Sequence, residues 1–191
     1  MASIKLQGDT SGELTISAPA VAGTNTLTLP ASTGTVLTSI SPSSDLPSSI
    51  NGPSFKAVMS AVTAISNAGT TKLVLNTEEW DTNSNYDSAT NYRFTPTVAG
   101  YYLITGSMFM STATTARVGV AIYKNGSEHA WQFTAGVSSG GGANPQVSTI
   151  VYANGSTDYF ELYAAQNYTG SVNAANNSVL TWFSGALVRS A

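Results

Sequence analysis

Arg93-Phe94-Thr95-Pro96-Thr97-Val98-Ala99-Gly100-Tyr101-Tyr102-Leu103-Ile104-Thr105-Gly106-Ser107-Met108-Phe109-Met110 is the stretch that decides the fold. Pro96 has no N–H to give a sheet ladder and Gly100 tolerates positive φ, so the pair is expected to bracket a strand corner. Beyond the corner the even positions Tyr102, Ile104, Met108 and Met110 make one apolar face, while Leu103 and Phe109 place apolar groups on the other. Such a strand is expected to be covered on both sides. Val179 to Val188, at the far end of the chain, has the same two-sided character around Trp182, Phe183 and Leu187. It is therefore expected to be held inside rather than to fray. Tyr102, Ile104, Phe109, Trp182, Phe183 and Leu187 are the expected core and inter-subunit residues.

Outward from these two strands, the chain reads as further β structure. Phe55 to Ile65 satisfies a helical and a strand period alike. Arg117 to Lys124 alternates Val118, Val120 and Ile122 inward, and Asn125-Gly126 is a strong hairpin signal. Glu128 to Ala135 returns with His129, Trp131 and Phe133 on one face. Gly136 to Pro145 reads as a glycine-rich connection. Pro145 to Ala153 and Asp158 to Ala164 read as another strand pair around Asn154-Gly155, with Phe160 and Leu162 inward. Gln166 to Asn177, polar and rich in Asn, reads as a long loop.

Phe94-Thr95-Pro96, Val98, Gly100 and Tyr102, then Lys124-Asn125-Gly126 after a Val-rich strand, then Phe183-Ser184-Gly185 with Leu187, stand together in one order and spacing. In this they resemble the globular head of the complement 1q and tumour-necrosis-factor superfamily, over roughly residues 53–191. The resemblance implies an all-β fold, a jelly-roll β-sandwich that assembles as a homotrimer. It also resolves the start of the head, since the family's first strand enters at Phe55. It does not imply a function, because such heads serve many kinds of recognition.

Composition narrows the class. Hydrophobic residues make up 42% of the 191 and charged residues only 9%, against about 25% charged in ordinary soluble domains. The surface must then be built from Thr, Ser, Asn and Gly, which suits an extracellular or virion particle better than a crowded cytosolic enzyme. The net charge of −3 comes from scattered residues and offers no phosphate-tracking patch, so nucleic acid is not an expected partner. With no cysteine, disulfides, thiol catalysis and zinc-thiolate sites are excluded. No stretch approaches a membrane span or a secretion signal, so membrane insertion is not expected.

Residues 1–38 carry short apolar pairs, Ile4 with Leu6, Leu14 with Ile16 and Leu27 with Leu29, separated by Gly-rich and Asn-containing turns. That is too little apolar surface to offset ordering entropy alone, so the segment is expected to fold against copies of itself or a host surface. From Gln7 to Pro30 the wording resembles a segment recurrent in structural proteins of tailed bacteriophages. This implies a virion component whose residues 1–38 bind a capsid or tail protein. A generic Thr-rich hairpin is the other reading of the same residues. Residues 39–52, with Pro42, Pro47 and several serines, read as a linker to the 53–191 head.

Candidate sites are few. The acidic, aromatic run from Glu78 to Asp87 has two readings: a loop whose Trp80 and Tyr86 pack inward, or a calcium site from Glu78, Glu79, Asp81 and Asp87, since some heads of this family hold calcium. No EF-hand spacing supports the second, and no metal or other cofactor is expected. His129 is the one histidine and has no nucleophile motif beside it. No acid pair is selected by spacing either, so no catalytic residue is assigned and an enzyme is not expected. Host-surface glycan binding is the better chemistry to carry, with Trp80, Tyr86, Asn167 and Tyr168 offering rings to stack on a sugar and amides to read hydroxyls. The competing reading makes those aromatics core or inter-subunit residues. The sequence thus supports a non-enzymatic, trimeric head-fibre, capsid-decoration or tail-fibre protein in the virion. A dedicated glycan- or receptor-binding module of a tail fibre is the alternative.

Overall fold

The computed structural model describes residues 3–7, 12–17, 52–67, 69–110, 117–135, 141–168 and 170–191. Every regular element among them is a strand. Cα packing divides the chain into two units, Met1–Thr38 and Ser39–Ala191. In the first, β1 (Ser3–Gln7) and β2 (Glu13–Ser17) pair antiparallel, Ile4 opposite Ile16 and Leu6 opposite Leu14. Ile4, Leu6 and Ile16 share one face of the hairpin. Ile4, Leu6 and Ile16 are 64%, 53% and 49% exposed, so the hairpin carries an uncovered apolar face. Leu27, Leu29 and the 39–51 part of the expected linker lie outside the described residues.

The second unit is a sandwich. Its strands are β3 (Ser54–Val58), β4 (Thr63–Ile65), β5 (Gly69–Lys72), β6 (Thr77–Asp81), β7 (Tyr86–Asp87), β8 (Arg93–Phe94), β9 (Gly100–Ser107), β10 (Arg117–Lys124), β11 (Ser127–Ala135), β12 (Gln146–Ala153), β13 (Phe160–Gln166), β14 (Val172–Ala174) and β15 (Trp182–Ser190). One sheet runs β12-β9-β15-β3-β6, the other β11-β10-β13-β8-β7, with β14 and β4 pairing separately. This is the expected all-β jelly-roll architecture. Strands distant in sequence lie side by side, so the two-sided β15 lands between β9 and β3.

The even face of β9 points inward as its period requires, with Tyr102 and Ile104 fully buried, and Met108 and Met110, just past the strand's end, are fully buried too. At the core's centre Phe55 stacks on Phe94 at 4.3 Å and on Tyr86 at 4.9 Å, and meets Phe183 edge-on at 5.0 Å. The Phe183-Ser184-Gly185 motif has a packing cause. A Cβ on Gly185 would stand 2.7 Å from Ile104 Cδ1 and 2.9 Å from Phe55 Cε1, so only glycine lets both side chains close over β15.

The corner before β9 is locked by side chains. The Tyr102 hydroxyl donates to Val98 O at 2.7 Å, and Asn85 Oδ1 accepts from Thr97 N–H and Oγ1–H, each at 3.1 Å. Burial pushes the Tyr102 pKa up to about 12. Gly100 works differently from expectation. It is absent from the positive-φ residues; instead a Cβ there would stand 2.4 Å from Arg189 O. Close approach to β15, not a left-handed backbone, selects glycine.

The Asn125-Gly126 hairpin forms as expected, with φ of 53° and 75°. Asn154-Gly155 does not make one. The turn chemistry is right, since Asn154 Oδ1 accepts from the N–H groups of Ser156, Thr157 and Asp158. Yet β12 pairs with β9 and β13 with β10, so the turn carries the chain from one sheet to the other. Two further expectations are corrected. Phe55 to Ile65 is two strands broken at residues 59–62, and the Gln166 to Asn177 loop contains β14, paired with β4.

Asp158 ties the two turns together. Its carboxylate meets Lys124 Nζ at 3.0 Å and accepts from Asn125 Nδ2 at 2.7 Å and Asn154 N at 3.0 Å. Burial pushes its pKa up, but these partners outweigh burial and hold it below the ordinary range. Asp87, bonded first by Thr90 N–H and then by the Asn91 side chain, is lowered to about 2. Both carboxyls have depressed folded pKa values, so their stabilisation is complete above the unfolded value of about 3.9 and is lost as pH falls through the folded ones. Urea midpoints are expected to be level down to about pH 5 and to drop between about pH 4 and pH 2. Asp158→Ala, which strands three donors, should cost about 2–3 kcal/mol at pH 7 by urea titration; an unchanged midpoint would show that the turns hold without it.

Candidate functional site: two outward sheet faces

Strand alternation that buries Tyr102 and Ile104 must turn Tyr101 and Leu103 outward. Register then sets Tyr152 against Tyr101 and Ile150 against Leu103 on β12, with Ala186 opposite Leu103 on β15. The two tyrosine rings meet edge to face at 5.6 Å. A bulge between Leu187 and Arg189 brings Val188 out as well. Tyr101, Leu103, Ile150, Tyr152 and Val188 are 45%, 40%, 62%, 42% and 57% exposed. Five large apolar side chains on three adjacent strands form a patch that an isolated soluble domain rarely leaves open. Toward β6 the same face turns charged: Lys56 pairs with Glu79 at 2.8 Å and lies over Trp80. An apolar centre with a charged rim is the anatomy of a protein–protein interface.

Of the expected core and inter-subunit residues, Tyr102, Ile104 and Phe183 are fully buried. Phe109, Trp182 and Leu187 are half-buried, with Leu187 against the core. Periodicity marks Leu103 as lying on the second face of its strand; it does not single out Tyr101, Ile150, Tyr152 and Val188, which join it there.

The outward face of the other sheet is chemically different. Trp131 and Phe133 stack at 4.8 Å, with the Arg117 guanidinium 3.6 Å over Phe133. Tyr123 stacks on Tyr163 at 4.0 Å. Burial pushes both of these phenol pKa values up. His129, expected beside Trp131, is the extra residue of a bulge opposite Ile122 and Tyr123 and stands exposed.

The suggested glycan residues are scattered. Tyr86 belongs to the core: it is 6% exposed and its hydroxyl donates to Leu75 O at 3.0 Å, so its ring has no free face for a sugar. Trp80 is 46% exposed but sits on β6, while Asn167 and Tyr168 follow β13 in the opposite sheet. The acidic run does not converge. Asp81 accepts from Asn83 and Tyr86 N–H, Asp87 from Ala89, Thr90 and Asn91, Glu78 from Ser88, and Glu79 pairs with Lys56. Among the described residues no group of three acids, histidines or cysteines is placed to hold a metal ion. No helix among them is long and apolar enough to cross a membrane.

No family model and no curated protein matches the sequence. Solved structures do match by fold. Eiger TNF from S. frugiperda superposes with a TM-score of 0.56 at 8% identity, over 73% of this chain and 92% of that one. Murine APRIL gives 0.55 at 9%, over 71% and 98%. The PRD1 vertex protein P5 gives 0.50 at 15%, over 72% of each chain. The second unit is thus a jelly roll of tumour-necrosis-factor type.

Proposed function

We propose that this chain is a non-enzymatic structural protein of a tailed-bacteriophage virion, a trimeric fibre or decoration protein on capsid or tail. Its head projects outward for adhesion or host contact. The observation that carries this reading is the division of the head's surface: one sheet has an apolar outward face fit for burial between copies, and the other keeps a polar, arginine- and aromatic-bearing face toward solvent. The trimeric heads that the sequence resembles, and the fold shared with a vertex protein, support it. So does the exposed apolar face of the β1–β2 hairpin, which gives residues 1–38 a surface for a capsid or tail protein. A glycan-reading module is the second reading, favoured by Asn167 and its surroundings.

The test divides the two ends. A chain beginning at Pro53 is expected to stay a soluble, cooperative trimer and to lose attachment to particles lacking the protein. Residues 1–52 on an unrelated trimeric carrier are expected to attach. Particle binding retained by the shortened chain would move the attachment site into the jelly roll.

The full chain is also expected to leave bacterial surface polysaccharides at their original length, since the sequence offers no nucleophile motif or spaced acid pair and no group of three acids, histidines or cysteines among the described residues is placed to hold a metal ion. Release of shorter saccharides, read by size-exclusion chromatography, would overturn this.

A further inference from the structure

On the outward face of the β11-β10-β13 sheet lies a pocket of about 160 Å³, lined by Gly69, Arg117, Phe133, Ala165, Gln166 and Asn167. Register explains how residues so far apart converge. Phe133 lies opposite Gly119 on β10, and Gly119 opposite Ala165 on β13, so the Phe133 ring lies over Gly119 and the small Ala165 and Gly69 make the floor beside it. Arg117 and Asn167 are clamped to each other through the main chain: Arg117 N–H donates to Asn167 Oδ1 at 2.6 Å and Asn167 N–H to Arg117 O at 3.2 Å. That clamp fixes both backbones at the rim. A cavity of about 150 Å³ takes one six-membered ring, so this pocket has room for one ring and not for an oligomer.

Its polar groups are donors. Arg117 forms no ion pair among the described residues, and its guanidinium carbon stands 3.6 Å from the Phe133 ring centroid, with no protein acceptor for the guanidinium N–H groups among the described residues. The Asn167 carboxamide N–H₂ likewise has no protein acceptor among the described residues, its Oδ1 being taken by Arg117. Gln166, by contrast, is 4% exposed and fully used, Nε2 on Ile65 O and Gly170 O and Oε1 accepting from Tyr168 N–H. The carboxylates of β13 and β11 are engaged: Glu161 pairs with Lys72 at 2.6 Å and Glu128 accepts from the Tyr123 hydroxyl. A ring-sized pocket with an apolar floor, a free guanidinium fork and a free amide, and no carboxylate in its lining, is complementary to a ring bearing a carboxylate.

We propose that this pocket binds a single carboxylated sugar unit, of the uronic-acid class, through Arg117 and Asn167. The proposal rests on the outward-head reading in one respect: the trimer described above buries the other sheet and leaves this face open.

The test uses the full chain, with ligand-observed NMR for sodium glucuronate, glucose and sodium acetate, and sedimentation on the same samples. Glucuronate is expected to saturate at millimolar concentration, about tenfold more tightly than glucose or acetate, because neither half of the ligand fills the site alone. Arg117→Gln should weaken glucuronate about tenfold and leave glucose unchanged. Gly69→Leu should block both sugars without strain, because an added Cβ meets no atom within 4 Å. Equal binding of glucose and glucuronate, no binding of either, or indifference to Arg117→Gln would overturn the proposal. Acetate binding as tightly as glucuronate would overturn the claim that the ring is read. A monomer in sedimentation strikes the trimer reading alone and leaves the binding result standing.

Discussion

Leu103→Asp is expected to convert the protein from three associated chains into single folded chains at micromolar concentration. Leu103 lies between Ile150 on β12 and Ala186 on β15, at the middle of the apolar patch. Its side chain is 40% exposed and points away from the sandwich core, so the substitution leaves that core intact. In a symmetric trimer the substitution occurs three times around one axis. Each new carboxylate would lose water without gaining a partner, and all three would repel one another, which is several kcal/mol on the scale of a buried unpaired charge. Sedimentation should report the single-chain mass, with the far-ultraviolet spectrum unchanged. Val179→Asp serves as the control, being 78% exposed in the turn before β15; it should leave the mass alone. If Leu103→Asp remains a trimer, the copies meet through a different surface.

Phe183→Ala is expected to cause the largest loss of stability. The ring is fully buried, edge-on to Phe55 at 5.0 Å and near Tyr86 at 6.4 Å, where both sheets contribute to one aromatic cluster. Removing it leaves a cavity that neighbouring rings cannot collapse into without giving up their own stacking. The cost for a buried Phe→Ala change is roughly 3–5 kcal/mol per chain. At roughly 2–4 °C per kcal/mol for a domain of this size, Tm should fall by roughly 6–20 °C. Scans at one fixed protein concentration are needed, because assembly itself raises Tm by mass action. An unchanged Tm would mean that Phe183 is not at the centre of the core.

Period and turn chemistry made much of this fold legible. Val118, Val120 and Ile122 alternate cleanly, Asn125-Gly126 can hardly do anything but turn, and the Thr95-Pro96 to Tyr102 spacing marks a corner. What stayed hidden depends on which strands become neighbours. Asn154-Gly155 has the same turn signal as Asn125-Gly126 but joins two sheets, since β9 and β10 already claim the flanking strands. Trp80, expected to pack inward with Tyr86, is instead 46% exposed because β6 is an edge strand, while Tyr86 goes inward as that reading has it and completes the stack on Phe55. Residue type pointed to Asn167 as a ligand group. Nothing local pointed to its companions, because Arg117 and Phe133 reach it only through the pairing of β10 with β11 and β13, and Gly69 through the packing of β5 on β13.

The place of β15 bears on the order in which the head can be built. It is the middle strand of its sheet and is translated after every other strand of the sandwich. Until residues 182–190 emerge, β3 and β9 each show an open edge, and Phe55 lacks one wall of its cluster. The nascent head therefore cannot close strand by strand. Its pairings are long-range, a pattern that folds slowly and leaves sticky edges in the interval. A cell filling with new chains must keep those half-sheets apart, and the proposed trimer can form only after each copy has set its own last strand in place.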